Sequence, residues 1–225
     1  MSEGSDQTVA DRMPKARRRG AIDNNLPVLE KLAAHYPLLF GAQFLPLKRG
    51  IFQDLQQAHP EDFSADALKS ALSQHTRSSR YLSVVSQGLQ RHDLKGQPVE
   101  AMAPEHVHHA LLEVFRRRQA RSAEDLTATL RRRMLQAFEN SGLTPEAYAA
   151  LVRSRDEASN QLLDEVLVEA RARAARDEAL LRAFDAGSHS VDAFADMYGM
   201  DSHSAGLALE RARRARAGAA ALPPT

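Results

Sequence analysis

The sequence contains no cysteine and no tryptophan, and aromatic residues make up only 5% of its 225 positions. Without cysteine there can be no disulfide, thiolate-ligated zinc, iron–sulfur cluster or thiol nucleophile, which fits a reducing, cytoplasmic setting. No apolar run approaches the roughly 18–20 residues of a membrane span, so no membrane association is expected. The first twenty residues carry basic side chains with no apolar stretch after them, and are not read as a secretory signal. The motifs that most directly announce catalysis are also missing. There is no glycine-rich phosphate loop, no HExxH and no GxSxG. No catalysis, cofactor or metal is therefore expected. The nine histidines include the group His106, His108 and His109, read as surface or partly packed side chains.

Charge is present in both signs and nearly balanced, with 30 Lys+Arg against 29 Asp+Glu, but it is not evenly spread. Residues 12–19 hold Arg12, Lys15, Arg17, Arg18 and Arg19 with no acid, and residues 69–95 hold five basic residues against Asp93 alone. Arg116, Arg117, Arg118 and Arg121 form a further group, whereas residues 122–225 contain 13 basic and 16 acidic residues. Such asymmetry suggests a polyanion-binding part joined to something else.

The pattern is mainly helical. Residues 1–25 lack apolar periodicity and are expected to be a disordered basic arm. Helices are predicted over 26–40 with Pro37 ending the run, 51–58, 65–75 with Ser64 as N-cap, from about Ser78, and over 104–121. Residues 90–95 followed by Gly96 read as a strand entering a tight turn. Beyond them the sequence predicts helices over 122–140, after Thr144-Pro145, over about 156–185, and a pair at 190–198 and 202–217. Residues 218–225 are expected to be a disordered tail.

The segment Thr76-Arg77-Ser78-Ser79-Arg80-Tyr81 combines what phosphates attract: guanidinium groups, hydroxyls and a helix start with unpaired N–H groups. Tyr81 offers an aromatic face or hydroxyl for a base or sugar. Lys69, Arg91 and Lys95 could share its surface. The alternative is a solvated basic face with Tyr81 packed in the core.

Five linked blocks sharpen this choice: Pro46-Leu47-Lys48 with Gly50 to Leu55, Leu68 to Leu72, Thr76 to Leu82, Arg91 to Gly96 with Pro98, and His106 with Ala110. Over residues 26–121 they resemble the FinO domain of the ProQ/FinO family of bacterial RNA chaperones. The resemblance implies a mainly α, FinO-like helical domain with a small β-hairpin element. It also implies a basic face for structured RNA, such as a hairpin with a 3′ tail. Lys48, Lys69, Arg80, Tyr81 and Arg91 match positions associated with that face. Thr76, Arg77, Ser78 and Ser79 match the segment that approaches the RNA end, and Arg49, Arg77 and Lys95 add charge. Asp54 falls on a family position and is expected to anchor a local hydrogen-bond network or a ribose hydroxyl. Ser73, His75 and Ser79 depart from the family pattern. Small RNAs and mRNA 3′ ends are the implied partners, with stabilisation or pairing of RNAs as the implied post-transcriptional role.

Residues 122–217 form the expected helical extension, whose protein partner is unknown. Within it, 190–216 has the spacing of a helix-turn-helix: Ala195 where helices would cross, Gly199 at the turn, and Arg211, Arg213, Arg214 and Arg216 on the second helix. The same spacing serves any docked helical hairpin. A DNA-binding regulator using this segment is the alternative function.

Overall fold

The computed structural model describes residues 25–187 and 190–221. The expected arm, apart from Asn25, and residues 222–225 of the expected tail lie outside the described residues. The chain divides into two compact units. The first comprises described residues 25–81 and 90–100. The second comprises 82–89 and the described residues from Ala101 onward. The division therefore runs through the 26–121 segment.

In the first unit, α1 (Leu26–His35) has Pro27 in its first turn, where the missing N–H costs nothing. It stops at Tyr36 because Pro37 disfavours a helical predecessor, and a single turn, α2 (Pro37–Phe40), follows. Gly50 begins α3 (Ile51–Ala58) at φ 79°, where a side chain would cost about 1 kcal/mol or more. In α4 (Ala65–Arg77), the Ser64 hydroxyl accepts the Ala67 N–H at 3.4 Å, as its capping role requires. Leu68, Ala71, Leu72 and His75 form the buried face of α4 and join Leu32, Leu39, Leu47, Leu55 and Phe63 in the core.

The chain crosses to the second unit within α5 (Ser79–Val85). It returns to the first for a two-stranded hairpin, β1 (Arg91–His92) and β2 (Pro98–Glu100), with Arg91 opposite Glu100. The strand is shorter than the predicted 90–95. Asp93 Oδ1 accepts the N–H groups of Lys95 and Gln97, both at 2.9 Å, so residues 93–97 close the turn instead of extending β1.

The second unit is helical: α6 (Pro104–Gln119), α7 (Thr127–Ser141), α8 (Pro145–Val152), α9 (Glu157–Ala186), α10 (Val191–Met197) and α11 (Ser202–Ala221). The predicted helix over 122–140 begins five residues late. Ser122 Oγ accepts the Glu124 N–H at 3.1 Å and Asp125 Oδ1 the Thr127 N–H at 2.9 Å. These short side chains satisfy backbone donors locally and compete with helix. The Gln119 amide completes the turn by bonding Glu124 O and Leu126 N. α6 packs on α7 and α8, and the 30-residue α9, about 45 Å long at 1.5 Å per residue, packs on α7 and α8 and on α11. α11 continues to Ala221, into the stretch expected to be tail. No helix among the described residues is long and apolar enough to cross a membrane.

Candidate nucleic-acid interface

The residues before α3 run beside the hairpin. His92 N–H donates to Pro46 O at 2.7 Å and Lys48 N–H donates to His92 O at 2.9 Å, so residues 46–48 act as a third, parallel ribbon on β1. Two interior side chains fix Leu47 at its centre. The Tyr81 hydroxyl accepts its N–H at 2.9 Å, and the Arg91 guanidinium donates to its carbonyl at 2.9 Å. Tyr81 is only 5% exposed. Its ring is therefore interior, not at the surface as a base platform. Burial raises the Tyr81 pKa, opposed by the Leu47 hydrogen bond and the Arg91 charge, and the group stays a neutral phenol.

Glu100, opposite Arg91 in the hairpin, reaches two cations of the candidate set. Its Oε1 accepts the Arg49 N–H at 2.7 Å, and its carboxylate lies 3.7 Å from Arg49 Nε and 3.9 Å from Arg91 Nε. Arg49 remains well exposed, whereas only 13% of the Arg91 side chain is accessible. Lys48 pairs with Asp54, in the first turn of α3, at 2.7 Å. That contact matches the local-network role expected for Asp54, and its charge also suits a helix N-terminus.

Arg80 is exposed and its guanidinium lies over the Phe44 ring, 4.3 Å from the centroid. Phe44 in turn packs on His75, whose ring also meets Phe40 and Tyr81. His75 is buried, and its Nε2 has no hydrogen-bond partner among the described residues. Burial, reinforced by Arg80, lowers its pKa to about 4, so the ring is neutral near pH 7. His75, one of the three departures from the family pattern, thus fills this aromatic cluster with a neutral imidazole.

Several groups expected to face a phosphate are engaged within the protein. The Thr76 hydroxyl donates to Leu72 O at 2.9 Å. Arg77 bonds the Ser73 carbonyl and hydroxyl. The Ser78 hydroxyl accepts the Tyr81 N–H at 3.1 Å, which removes one donor from the predicted cluster at the start of α5. Ser79 is exposed. Lys69 on α4 and Lys95 at the hairpin tip are exposed and have no acidic partner among the described residues. Lys48, Arg49, Tyr81 and Arg91 are thus linked through Leu47, its neighbours and Glu100, and Arg80 through Phe44 and His75. Lys69, Thr76 and Arg77 are placed along α4, and Lys95 stands apart on the turn.

Sequence reasoning missed Phe44 and Glu100. Glu100 was legible in principle, because a hairpin turning near Gly96 sets it opposite Arg91. Phe44 lies in an irregular stretch with no periodicity to read.

The arginines of the suspected helix-turn-helix are largely engaged inside the second unit. α10 and α11 flank a turn with Gly199 at φ 64°. Arg211 makes a two-pronged bond to buried Asp177 of α9, at 2.7 and 3.1 Å. Arg216 pairs with Glu178 and Asp185, and Arg213 lies over Phe184. The hairpin is docked on α9, and nothing in it favours the DNA-binding alternative.

The first unit is a mainly helical domain with a small hairpin, its cations held on a ribbon, over an aromatic ring and on a helix face. Residues 22–127 match the model of the ProQ/FINO family. Over 93 residues the chain is 40% identical to the RNA chaperone ProQ of Histophilus somni (strain 2336), covering 40% of this chain and 44% of that protein. The RNA chaperone ProQ of Aeromonas salmonicida (strain A449) matches with the same identity and shares. The chain thus spans less than half the length of these curated relatives. A FinO-like RNA chaperone of Neisseria meningitidis MC58, solved by crystallography, is 28% identical, covering 40% of this chain and 92% of that chain with a TM-score of 0.36.

Proposed function

We propose that this protein is a cytoplasmic, non-catalytic RNA chaperone. It would capture structured RNA, a hairpin with a 3′ tail, through residues 26–121 and stabilise or pair small RNAs and mRNA 3′ ends. The observation that carries the reading is the exposed Arg80 guanidinium, held over the Phe44 ring within a segment that matches the ProQ/FINO family. Cations fixed in place lose little freedom when a phosphate arrives, and neutralising two polyanions lowers the repulsion that opposes their pairing. Tyr81 and Arg91 serve this face from beneath by fixing the Leu47 backbone, while Arg49, Lys69, Arg77, Arg80 and Lys95 supply outward charge. Thr76 in the last turn of α4, Ser78 between the helices and Ser79 at the start of α5 shape this junction.

The test is binding of the full chain to a terminator-like hairpin at several salt concentrations, with the 3′ end free, blocked at the terminal diol, or extended by structured sequence. Tighter binding of the free end, by about tenfold, is expected from the loss of one or two hydrogen bonds to charged groups. Equal affinity for all three RNAs would reduce the activity to non-specific phosphate binding.

A further inference from the structure

The first unit carries a second constellation, separate from the candidate cations. His35 is the last residue of α1, His59 is the residue on which α3 ends, and Asp62 lies in the turn leading to Phe63. Asp62 Oδ2 is 3.1 Å from His59 Nδ1 and 3.8 Å from His35 Nε2. The two imidazole centroids are 4.3 Å apart. One ligand-capable atom from each of the three residues lies within 4.8 Å of the others, and no other such trio of histidine and acid occurs among the described residues.

An i,i+3 contact between His59 and Asp62 needs no further explanation, but it does not account for His35 turning its Nε2 toward the same carboxylate oxygen from another helix. Two nitrogens and one oxygen form a donor set suited to a borderline divalent ion. With zinc–ligand bonds of about 2.0–2.2 Å, tetrahedral donors stand about 3.3 Å apart. The trio, whose donor atoms lie within 4.8 Å of one another, must therefore close by up to about 1.5 Å at its widest. His35 and Asp62 have room to do so, since their side chains are 40% and 44% exposed.

The surroundings also suit a metal. His59 Nε2 lies 2.8 Å from the Tyr36 hydroxyl. When Nδ1 carries a metal, Nε2 carries the proton and donates it to Tyr36, the outer hydrogen bond that orients a ligating imidazole. Buried Phe63 meets both imidazole rings edge-on and gives the site an apolar floor. We propose that His35, His59 and Asp62 bind a divalent transition-metal ion of the zinc type, with Tyr36 as a positioning residue and water completing the coordination.

The experiment uses the full chain, treated with chelator and titrated with Co2+ and then Zn2+. A single Co2+ per chain with the intense visible absorption of a four-coordinate ion, displaced by Zn2+, is expected. His35→Gln and Asp62→Asn should each weaken Zn2+ binding by about tenfold or more. Tyr36→Phe should weaken it by about tenfold while keeping the four-coordinate spectrum. His106→Gln and His109→Gln should leave it unchanged. Wild-type affinity in both His35→Gln and Asp62→Asn, or loss of binding on changing His106 or His109 instead, would overturn the site. If a variant does not fold, the wild-type spectrum still decides: no binding, or the weak absorption of a six-coordinate aquated ion, also overturns it.

Discussion

The Tyr81 hydroxyl accepts the Leu47 backbone N–H at 2.9 Å, tying the centre of the ribbon of residues 46–48 to α5. Tyr81→Phe leaves that N–H without its partner in a buried place. A cost of about 1–3 kcal/mol is expected, read as a lower urea midpoint. RNA affinity below the new midpoint should change little. A large affinity loss with unchanged stability would mean that the hydroxyl touches RNA directly.

Arg80 and Phe44 separate charge from placement. Arg80→Ala should weaken hairpin binding and flatten the salt dependence by about one phosphate contact. Phe44→Leu retains apolar bulk but removes the ring face beneath the guanidinium, so affinity should fall with the salt slope nearly unchanged. Lys48→Ala should weaken binding as well. Measuring both quantities across a salt series checks all three, and wild-type behaviour of Arg80→Ala would remove Arg80 from the interface.

His75 makes stability depend on pH. Its pKa is lowered from 6.5 to about 4 in the folded chain. Between these values the unfolded chain holds a proton that the folded chain does not, so stability rises with pH through this window. The contribution is complete above pH 6.5 and lost below pH 4, and amounts to about 3 kcal/mol. His108, buried beside Tyr148 in the second unit, shifts the same way, to about 4. His75→Phe should therefore narrow, without abolishing, the stability difference between pH 7.5 and pH 4.5. It also removes a buried nitrogen that lacks a partner among the described residues. Urea unfolding at the two pH values gives the comparison, and an unchanged difference would contradict the assignment.

Arg211→Ala strands the buried Asp177 carboxylate between α9 and α11. Loss of one member of such a pair costs about 3 kcal/mol or more. Thermal melts of the full chain should show it, and RNA binding should be retained if the ribbon carries that function.

The extent of the second unit matters for truncation. α6 buries Val107, Ala110, Leu111 and Val114, and packs on α7 and α8. A chain ending at 121 removes both partners, whereas one ending at 152 keeps them. The longer fragment should melt cooperatively and remain monomeric, and the shorter should bind more of an apolar-surface dye. Equal behaviour of the two would show that α6 needs neither helix.

Helices with strong periodicity and a capping side chain were legible, as with Ser64 before α4 and Thr144 before α8, because those signals are local. The delayed start of α7 was not, since Ser122 and Asp125 take the backbone donors that a propensity argument gives to the helix. In the candidate site, the positively charged residues were legible as a set but their partners were not. Pairing Lys48 with Asp54 needs only a short span, yet setting Glu100 beside Arg49, or Tyr81 under Leu47, requires contacts 51 and 34 residues apart. The arginines of α11 misled for the same reason: on a helical wheel they point outward for a polyanion, while in the fold three α9 acids neutralise two of them. His35 and His59 come together only because two helix ends meet, which no spacing rule reveals.

The Arg211–Asp177 lock has an evolutionary consequence. Neither side chain can change alone without stranding a charge, so descendants that keep α9 against α11 must alter both positions together. They can exchange the two charges or replace both with apolar residues of similar volume. The two positions should therefore covary, and a lineage carrying only one of the pair will have moved or lost the final helical hairpin.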